Sequence, residues 1–155
     1  MKWVTREKAK VDGIACPWLI RLFVDPEADF LFVPAKQVQE TAARENAIPF
    51  DAPGVELGHY KVDGEERVSF DAIIRKYKLD DPALLDLAEI VHAADSKHVS
   101  NPRPEGIGLE AAATGFRMIA KDDHENMRIQ FPLYDALYVY CMSRVKQGKI
   151  TPAHR

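Results

Sequence analysis

The chain has 155 residues, of which 46% are hydrophobic and 29% are charged, a composition typical of a soluble globular domain and not of a disordered, collagen-like or coiled-coil chain. No apolar stretch approaches the ~18 residues of a membrane-spanning helix, residues 1–6 lack the apolar core of a secretory signal, and two cysteines are too few for a disulfide framework. We therefore expect a single domain over residues 1–155, with its core at about 3–145 and a basic tail at 146–155, in the reducing cytoplasm.

The formal net charge of −3 hides an uneven distribution along the chain. Residues 1–12 carry a net charge of +2 and residues 144–155 carry +4, so the residues between them carry −9. An acidic body of this kind repels phosphate backbones and favours bound cations. We therefore do not expect direct nucleic-acid binding, and we interpret the basic ends as solvated tails.

In chain order, the first half alternates short strands with helices. The predicted elements are a strand at Trp3–Thr5, a buried helix at Ile14–Val24 with Pro17 in its first turn, a strand at Phe30–Val33, a polar helix at Lys36–Asn46 and an edge strand at Ile48–Phe50. A hairpin follows, with residues 55–60 leading into its turn at Val62–Glu65.

The second half is predicted to be helical. Its elements are a helix capped by Ser69 and running through Tyr77, a helix from Pro82 to about Asp95, a polar loop at Ser96–Arg103, a helix with closely packed small residues at Glu105–Ala120, and a last helix from Asp122 to Gly148 that Pro132 should kink or restart. The fold class is therefore α+β, a helix-rich single domain with a small sheet in the N-terminal half and five or six helices.

Side chains able to bind a metal ion occur at three places, which are Glu56 to His59, His92 to Asp95, and Asp122 to Glu125. Imidazole and carboxylate ligands together suit Zn, Fe or Mn, without distinguishing among them. Neither an H-E-x-x-H nor a C-x-x-C signature is present, and the same side chains could cap or complement helix ends. The spacing alone therefore leaves both interpretations open.

A second group of residues could carry other chemistry. Cys16 lies near a predicted helix N-terminus, where the helix dipole lowers a thiol pKa, although a free cysteine is more often a small buried hydrophobe. Tyr134 and Asp135 beside Pro132 could act as an acid/base pair. Three basic side chains could bind an oxyanion near Cys16; they are Arg6, Lys10 and Arg21.

Several motifs together resemble the chromate-resistance (ChrB-type) domain, in order, over roughly residues 3 to 141. They are V-T-R-E (4–7), K-V-D (10–12), I-A-C-P-W-L-I-R (14–21), F-L-F-V-P (30–34), I-P-F-D (48–51), P-G-V-E-L-G-H (53–59), S-F-D (69–71), D-D-P-A-L (80–84), A-D (94–95), D-D-H (122–124) and Y-D-A-L-Y (134–138). Gly13 and His92 depart from the pattern, since a basic residue is expected at each position.

The resemblance implies a role in bacteria that carry chromate-efflux operons, as a chromate-responsive regulator or as a stand-alone accessory domain. The longer regulators have an additional N-terminal region, and this chain begins at the shared domain, so we expect a stand-alone domain without a DNA-binding module. All five metal candidates lie in the matching segments. We expect a divalent ion held by His59, Asp95 and His124, with Glu56 and Asp123 completing or supporting the ligand shell.

Three hypotheses about function remain. The first is a metal-binding domain in chromate or oxidative-stress resistance, with metalloenzyme activity and the catalytic roles of Cys16, Tyr134 and Asp135 left open. The second is a sensor that binds chromate or another small oxyanion without turnover. The third is a structural or interaction domain. No nucleotide cofactor and no membrane partner are predicted, and the oligomeric state is left open.

Overall fold

The structure is a computed structural model that describes residues 1–96 and 102–149. Within those residues there are five strands, β1 (Lys2–Arg6), β2 (Asp29–Val33), β3 (Ile48–Pro49), β4 (Tyr60–Val62) and β5 (Glu65–Arg67). The same residues form six α-helices, α1 (Asp12–Phe23), α2 (Val38–Glu45), α3 (Ser69–Lys76), α4 (Pro82–Asp95), α5 (Pro104–Ile119) and α6 (Asp123–Lys146). The predicted α+β class, with a small sheet from the N-terminal half, is confirmed. No helix in the described part is both long and apolar enough to cross a membrane.

The three-stranded sheet has the order β2-β1-β3, and all of its strands are parallel. From central β1 the chain passes through α1 to β2 on one side and then through α2 to β3 on the other. The strand order thus reverses between the adjacent strands β1 and β3, and open parallel sheets bind ligands outside the carboxyl ends of their strands at such a point. The topology therefore marks the ends of these two strands, near Arg6 and Asp51, as the place to search for a site.

The core lies between the sheet and the helices. In α1, residues 12–20 are all buried, and Trp18 packs against Tyr134 of α6 with ring centroids 6.2 Å apart. The close helix contact expected from small residues is present between α4 and α5, because a Cβ added to Gly106 would lie 2.7 Å from the Cβ of Ala93. The fully buried Asp86 of α4 also accepts hydrogen bonds from Arg103 and Arg144, which ties the three C-terminal helices together.

Four predicted details differ from the structure. Helix α1 begins at Asp12, so Pro17 and Cys16 lie in its second turn and not at its N-terminus. The hairpin turn is confirmed, but its first strand begins only at Tyr60. Ser69 does not cap α3, whose N-cap residue is Val68. Pro132 does not restart the last helix, since α6 is one helix from residue 123 to 146. Residues 97–101 of the predicted loop and residues 150–155 of the predicted tail lie outside the described residues.

Candidate metal centre

Three metal-type side chains converge beside the carboxyl ends of β1 and β3. One ligand atom each of Asp12, His59 and Asp95 lies within 4.8 Å of the other two. The Nε2 atom of His59 is 3.4 Å from Oδ2 of Asp95 and 3.8 Å from Oδ2 of Asp12. Two ligand atoms each about 2.0–2.2 Å from a tetrahedral ion lie roughly 3.3–3.6 Å apart. The group therefore needs only small side-chain shifts to hold one ion.

Asp12 is held in place by the N-terminus of α3. Its carboxylate accepts hydrogen bonds from the backbone N–H groups of Ser69, at 2.7 Å, and Phe70, at 3.1 Å. These two N–H groups have no partner within their own helix, and the positive end of the helix dipole favours a carboxylate there. Asp12 of α1 thus provides hydrogen-bond acceptors for the N–H groups at the start of α3, and these bonds fix its carboxylate near His59.

His59 is oriented by the hairpin. Its Nδ1 atom lies 2.7 Å from Oε1 of Glu66, a residue of β5. A carboxylate that accepts the Nδ1 proton leaves Nε2 directed toward Asp12 and Asp95, which is how outer carboxylates usually orient metal-binding histidines. The backbone of Glu66 is fixed in turn by a hydrogen bond, because its carbonyl oxygen lies 2.7 Å from Nε2 of the buried His92.

A fourth carboxylate, that of Asp51, lies at the edge of this group. Its Oδ1 atom is 3.9 Å from Nε2 of His59 and 3.8 Å from the guanidinium of Arg6, and it accepts a hydrogen bond of 2.8 Å from the Ser69 hydroxyl. Asp51 has a φ of 46°, in the left-handed region that is uncommon for residues other than glycine. The backbone turn directly after β3 therefore directs this side chain to the site.

Without a bound cation, burial and mutual repulsion disfavour the ionised form of the buried carboxylic acids in this group. Burial raises the pKa of Asp12 well above its ordinary value, and the neighbouring charges of Asp51 and Asp95 raise it further. Burial also raises the pKa of Asp51, although Arg6 opposes this shift. The carboxylates of Asp95 and Glu66 raise the pKa of His59 to about 9. A cation at the centre of the group would relieve the repulsion among these carboxylates.

A cavity of about 320 Å³ opens beside the group. Its lining includes Asp12, Asp51 and Asp95, together with basic residues from β1, the loop after it, and α5. The basic lining residues are Arg6, Lys8, Lys10 and Arg117. The site is thus acidic at the candidate metal ligands and basic at its margin.

Of the five predicted metal ligands, the structure brings together only His59 and Asp95. Glu56 is exposed and its carboxylate binds Nζ of Lys76 at 2.7 Å. The carboxylate of Asp123 accepts the backbone N–H groups of Lys8 and Ala9, at 2.9 and 2.8 Å. His124 is exposed and its ring meets that of Phe32, with centroids 5.2 Å apart. His124 therefore lies against β2, where α6 places it, and is not a member of the group around His59.

Of the residues predicted to bind an oxyanion or to provide a reactive thiol, some line the cavity and others do not. Arg6 and Lys10 line the cavity, whereas Arg21 lies over the rings of Phe30 and Phe131 and donates to a backbone carbonyl. Cys16 is fully buried and its Sγ is 3.4 Å from Oδ1 of Asp12. Burial, followed by the Asp12 charge, raises the pKa of this thiol, so the expected activation by a helix terminus is absent and the small-hydrophobe interpretation holds.

Tyr134 and Asp135 do not form an acid/base pair at the site. The Tyr134 hydroxyl is buried and donates to the carbonyl of Val11, and Asp135 accepts the indole N–H of Trp18 at 2.9 Å. His92, one of the departures from the family pattern, lies in a buried ionic cluster where Nδ1 is 3.0 Å from the guanidinium of Arg67. Each of these side chains has a structural partner in the core.

Sequence reasoning assigned no role to Asp12, Asp51 or Glu66. Asp12 and Asp51 follow β1 and β3, so a prediction that these strands are adjacent and parallel would have placed both residues at one sheet edge. Glu66 follows the hairpin turn, and no local pattern distinguishes it from Glu65. Its role depends on the tertiary position of the hairpin.

Comparison with known proteins supplies the family. Residues 3–141 match the family described as ChrB, C-terminal domain. The protein named Protein ChrB from Cupriavidus metallidurans is 32% identical over 147 residues, which cover 94% of this chain and 42% of that protein. The chain therefore spans less than half the length of this relative. No solved structure matches the chain. With nearly all of its length matched, the chain belongs to the ChrB C-terminal domain family.

Proposed function

We propose that this ChrB-family domain binds one divalent metal ion through Asp12, His59 and Asp95, and that it serves chromate or oxidative-stress resistance in the metal-bound form. The observation that carries the proposal is the convergence of three donor atoms from three distant chain segments within 4.8 Å. One imidazole and two carboxylates suit Zn, Fe or Mn. Three protein ligands leave a coordination position for water or another ligand, as in metal sites that react.

The buried charges of the site support this proposal. Asp12 is 2% exposed and Asp51 is 4% exposed, and two buried carboxylates near a third are costly without a cation. His59 and Arg6 are the basic groups within 4 Å of these carboxylates among the described residues. A divalent ion supplies the missing positive charge and neutral His59 then becomes a ligand. The outer hydrogen bond that Glu66 accepts from Nδ1 of His59 is of the kind found around bound metals.

The second candidate is an oxyanion sensor that works without a metal. The cavity favours this candidate, because Arg6 and Lys10 line it. The third predicted anion-binding residue, Arg21, lies elsewhere, so the basic lining differs from the predicted one. It predicts that chromate binds the metal-free protein by charge-assisted hydrogen bonds. The cytoplasmic location stays a prediction.

The metal proposal is tested by elemental analysis and titration of the purified domain. After dialysis against Zn²⁺ or Mn²⁺ and removal of free ion, we expect about one equivalent of metal per chain. His59→Ala should weaken binding roughly 100-fold or more, because even an outer partner of a metal ligand is worth about 10–100-fold. His124→Ala is the matched control, since it removes an exposed histidine outside the group, and it should retain full metal content.

Two results would contradict the proposal. One is wild-type protein without stoichiometric metal at any of the tested ions. The other is equal loss of metal in His59→Ala and His124→Ala, which would indicate nonspecific binding by surface histidines. Circular dichroism of both variants checks that the fold is retained.

A further inference from the structure

The cavity beside the candidate metal centre has a lining whose charges balance, so a bound metal would make it positive. Its lining carries four basic side chains and four acidic ones, Glu7 among the acids, so its formal charge is zero. A divalent ion held by Asp12, His59 and Asp95 brings the same space to a formal charge of +2. The metal-bound cavity therefore attracts an anion, whereas the metal-free cavity does not.

Three of the four basic side chains are available to such an anion. Within the described part of the chain, Lys8, Lys10 and Arg117 form no salt bridge with a carboxylate, whereas Arg6 is 3.8 Å from Asp51. Lys8 is bound through its backbone N–H, by Asp123 of α6. Lys10 comes from the loop between β1 and α1, and Arg117 from the last turn of α5, so they reach the cavity from two elements. Ammonium and guanidinium groups facing one cavity are suited to a carboxylate or a phosphate.

The size of the cavity indicates a ligand larger than a single small ion. Its volume of about 320 Å³ falls at the lower end of the roughly 300–1,000 Å³ of small-molecule pockets. One water occupies about 30 Å³ in the liquid, so the space holds several non-hydrogen atoms besides the metal. Gly13 also lines this space and adds no side chain to it.

We propose that the metal-bound domain takes a small organic anion in this cavity, with one acid oxygen in the open coordination position of the metal and the anionic end between Lys10 and Arg117. This inference rests on the proposed metal site and names the ligand class of that site. The shared chemistry is an acid group on a small carbon skeleton, and a carboxylate or a phosphate ester supplies it. The ligand occupies the metal coordination sphere, so its binding requires the metal.

The test uses the wild-type domain loaded with Mn²⁺, and follows the relaxation of water protons while malonate or phenyl phosphate is added. An anion that takes the open position displaces water from Mn²⁺, so the relaxation enhancement should fall with a saturable dependence on anion concentration. Sulfate serves as the tetrahedral oxyanion for comparison and should bind about tenfold more weakly. Malonate and phenyl phosphate distinguish the carboxylate source from the phosphate source.

Two variants test the basic margin. Lys10→Gln and Arg117→Gln should each weaken anion binding about tenfold while the Mn²⁺ affinity stays within twofold of wild type. Lys146→Gln is the matched control, because Lys146 is exposed at the far end of α6, and it should bind the anion normally.

The outcomes separate this inference from the metal proposal. Stoichiometric Mn²⁺ binding with no effect of either organic anion at millimolar concentration overturns the inference and leaves the metal site standing. Anion binding of equal strength to metal-free protein also overturns it, and supports the oxyanion alternative. Absence of metal binding overturns both proposals.

Discussion

At the scale of single residues, Glu66 is the side chain that orients the ring of His59 from the side opposite Asp12 and Asp95. Glu66 lies 2.7 Å from Nδ1 of His59 and is about half exposed, so it can be changed with little effect on the core. Its carboxylate selects the form of the ring that carries hydrogen on Nδ1, which leaves Nε2 for a metal. Glu66 therefore acts on the site only through His59.

We expect Glu66→Gln to weaken metal binding about 10–100-fold, because a neutral amide accepts the Nδ1 proton less strongly than a carboxylate. Isothermal titration with Zn²⁺ measures the change, and the melting temperature of the metal-free protein should barely move. Glu65→Gln is the control from the adjacent hairpin position. Unchanged affinity in Glu66→Gln would show that the contact to His59 has no part in metal binding.

Sequence reasoning at this scale grouped His59 with Asp95, which do lie together in the structure, and missed the neighbouring Asp12. The metal-binding chemistry of His59 and Asp95, and their predicted positions in a loop and a helix, can be read from the local sequence. Both residues could therefore be proposed as ligands. Asp12 is indistinguishable in sequence from a first-turn acid of α1, and its pairing with the start of α3 spans 57 residues. His124 had the appropriate chemistry, but the direction of α6 could not be derived from a periodicity.

At the scale of elements, the loop between β1 and α1 shapes the cavity and is held from outside the sheet. Asp123 of α6 accepts the N–H groups of Lys8 and Ala9, and Asn126 donates to the carbonyl of Ala9. Lys8 has a φ of 59°, so consecutive N–H groups can face one carboxylate. The first turn of α6 thus fixes a loop that contributes Lys10 to the cavity.

We expect Asp123→Ala to destabilise the domain by about 1–3 kcal/mol, since the half-buried N–H group of Ala9 and the exposed N–H group of Lys8 lose a charged acceptor. Hydrogen exchange at the amides of Lys8 and Ala9 should accelerate more than exchange in α1. Asp122→Ala is the matched comparison, because it removes the N-cap of the same helix and costs about 1 kcal/mol without touching the loop. Equal protection of the two amides in both variants would contradict the anchoring role.

Most elements could be predicted because their signals are local. The Asp63-Gly64 pair has both φ angles positive, at 52° and 80°, as a two-residue hairpin turn requires, and the turn was predicted from that pair of residues. Of the two predicted effects of Pro132, the restart of the helix does not occur, because tertiary packing outweighs a single lost hydrogen bond. Tyr134 and Cys141 beyond it are buried, so the core stabilises a continuous α6.

At the scale of the whole molecule, a bound metal would connect the start of α1, the loop before β4 and the end of α4. The metal-free protein depends on pH through the same groups. Burial raises the folded pKa of Asp12 and Asp51, so the stability that each contributes is complete below its unfolded value near 3.8 and is lost as pH rises. His59, with a pKa of about 9, contributes stability that is complete below about 6.5 and is lost as pH rises through 9.

Metal binding has the opposite dependence, because a ligand must lose its proton before it coordinates. With His59 largely protonated below pH 9, each unit of pH between 6 and 8 should strengthen apparent metal affinity about tenfold for the His59 proton, and the raised pKa of Asp12 acts in the same direction. Metal at about 100 times its dissociation constant stabilises a fold by about 2.7 kcal/mol, which is roughly 5–10 °C in melting temperature for a domain of this size.

We therefore expect the difference in melting temperature between the Zn²⁺-loaded and metal-free protein, at a fixed Zn²⁺ concentration, to widen from pH 6 to pH 8. Scanning calorimetry in matched buffers measures it, and His124→Ala should show the same widening as wild type. In Asp95→Asn the difference should be small at every pH, because one ligand and part of the cause of the raised His59 pKa are removed together. A difference that is constant or narrows with rising pH would mean that His59 does not release its proton to a metal.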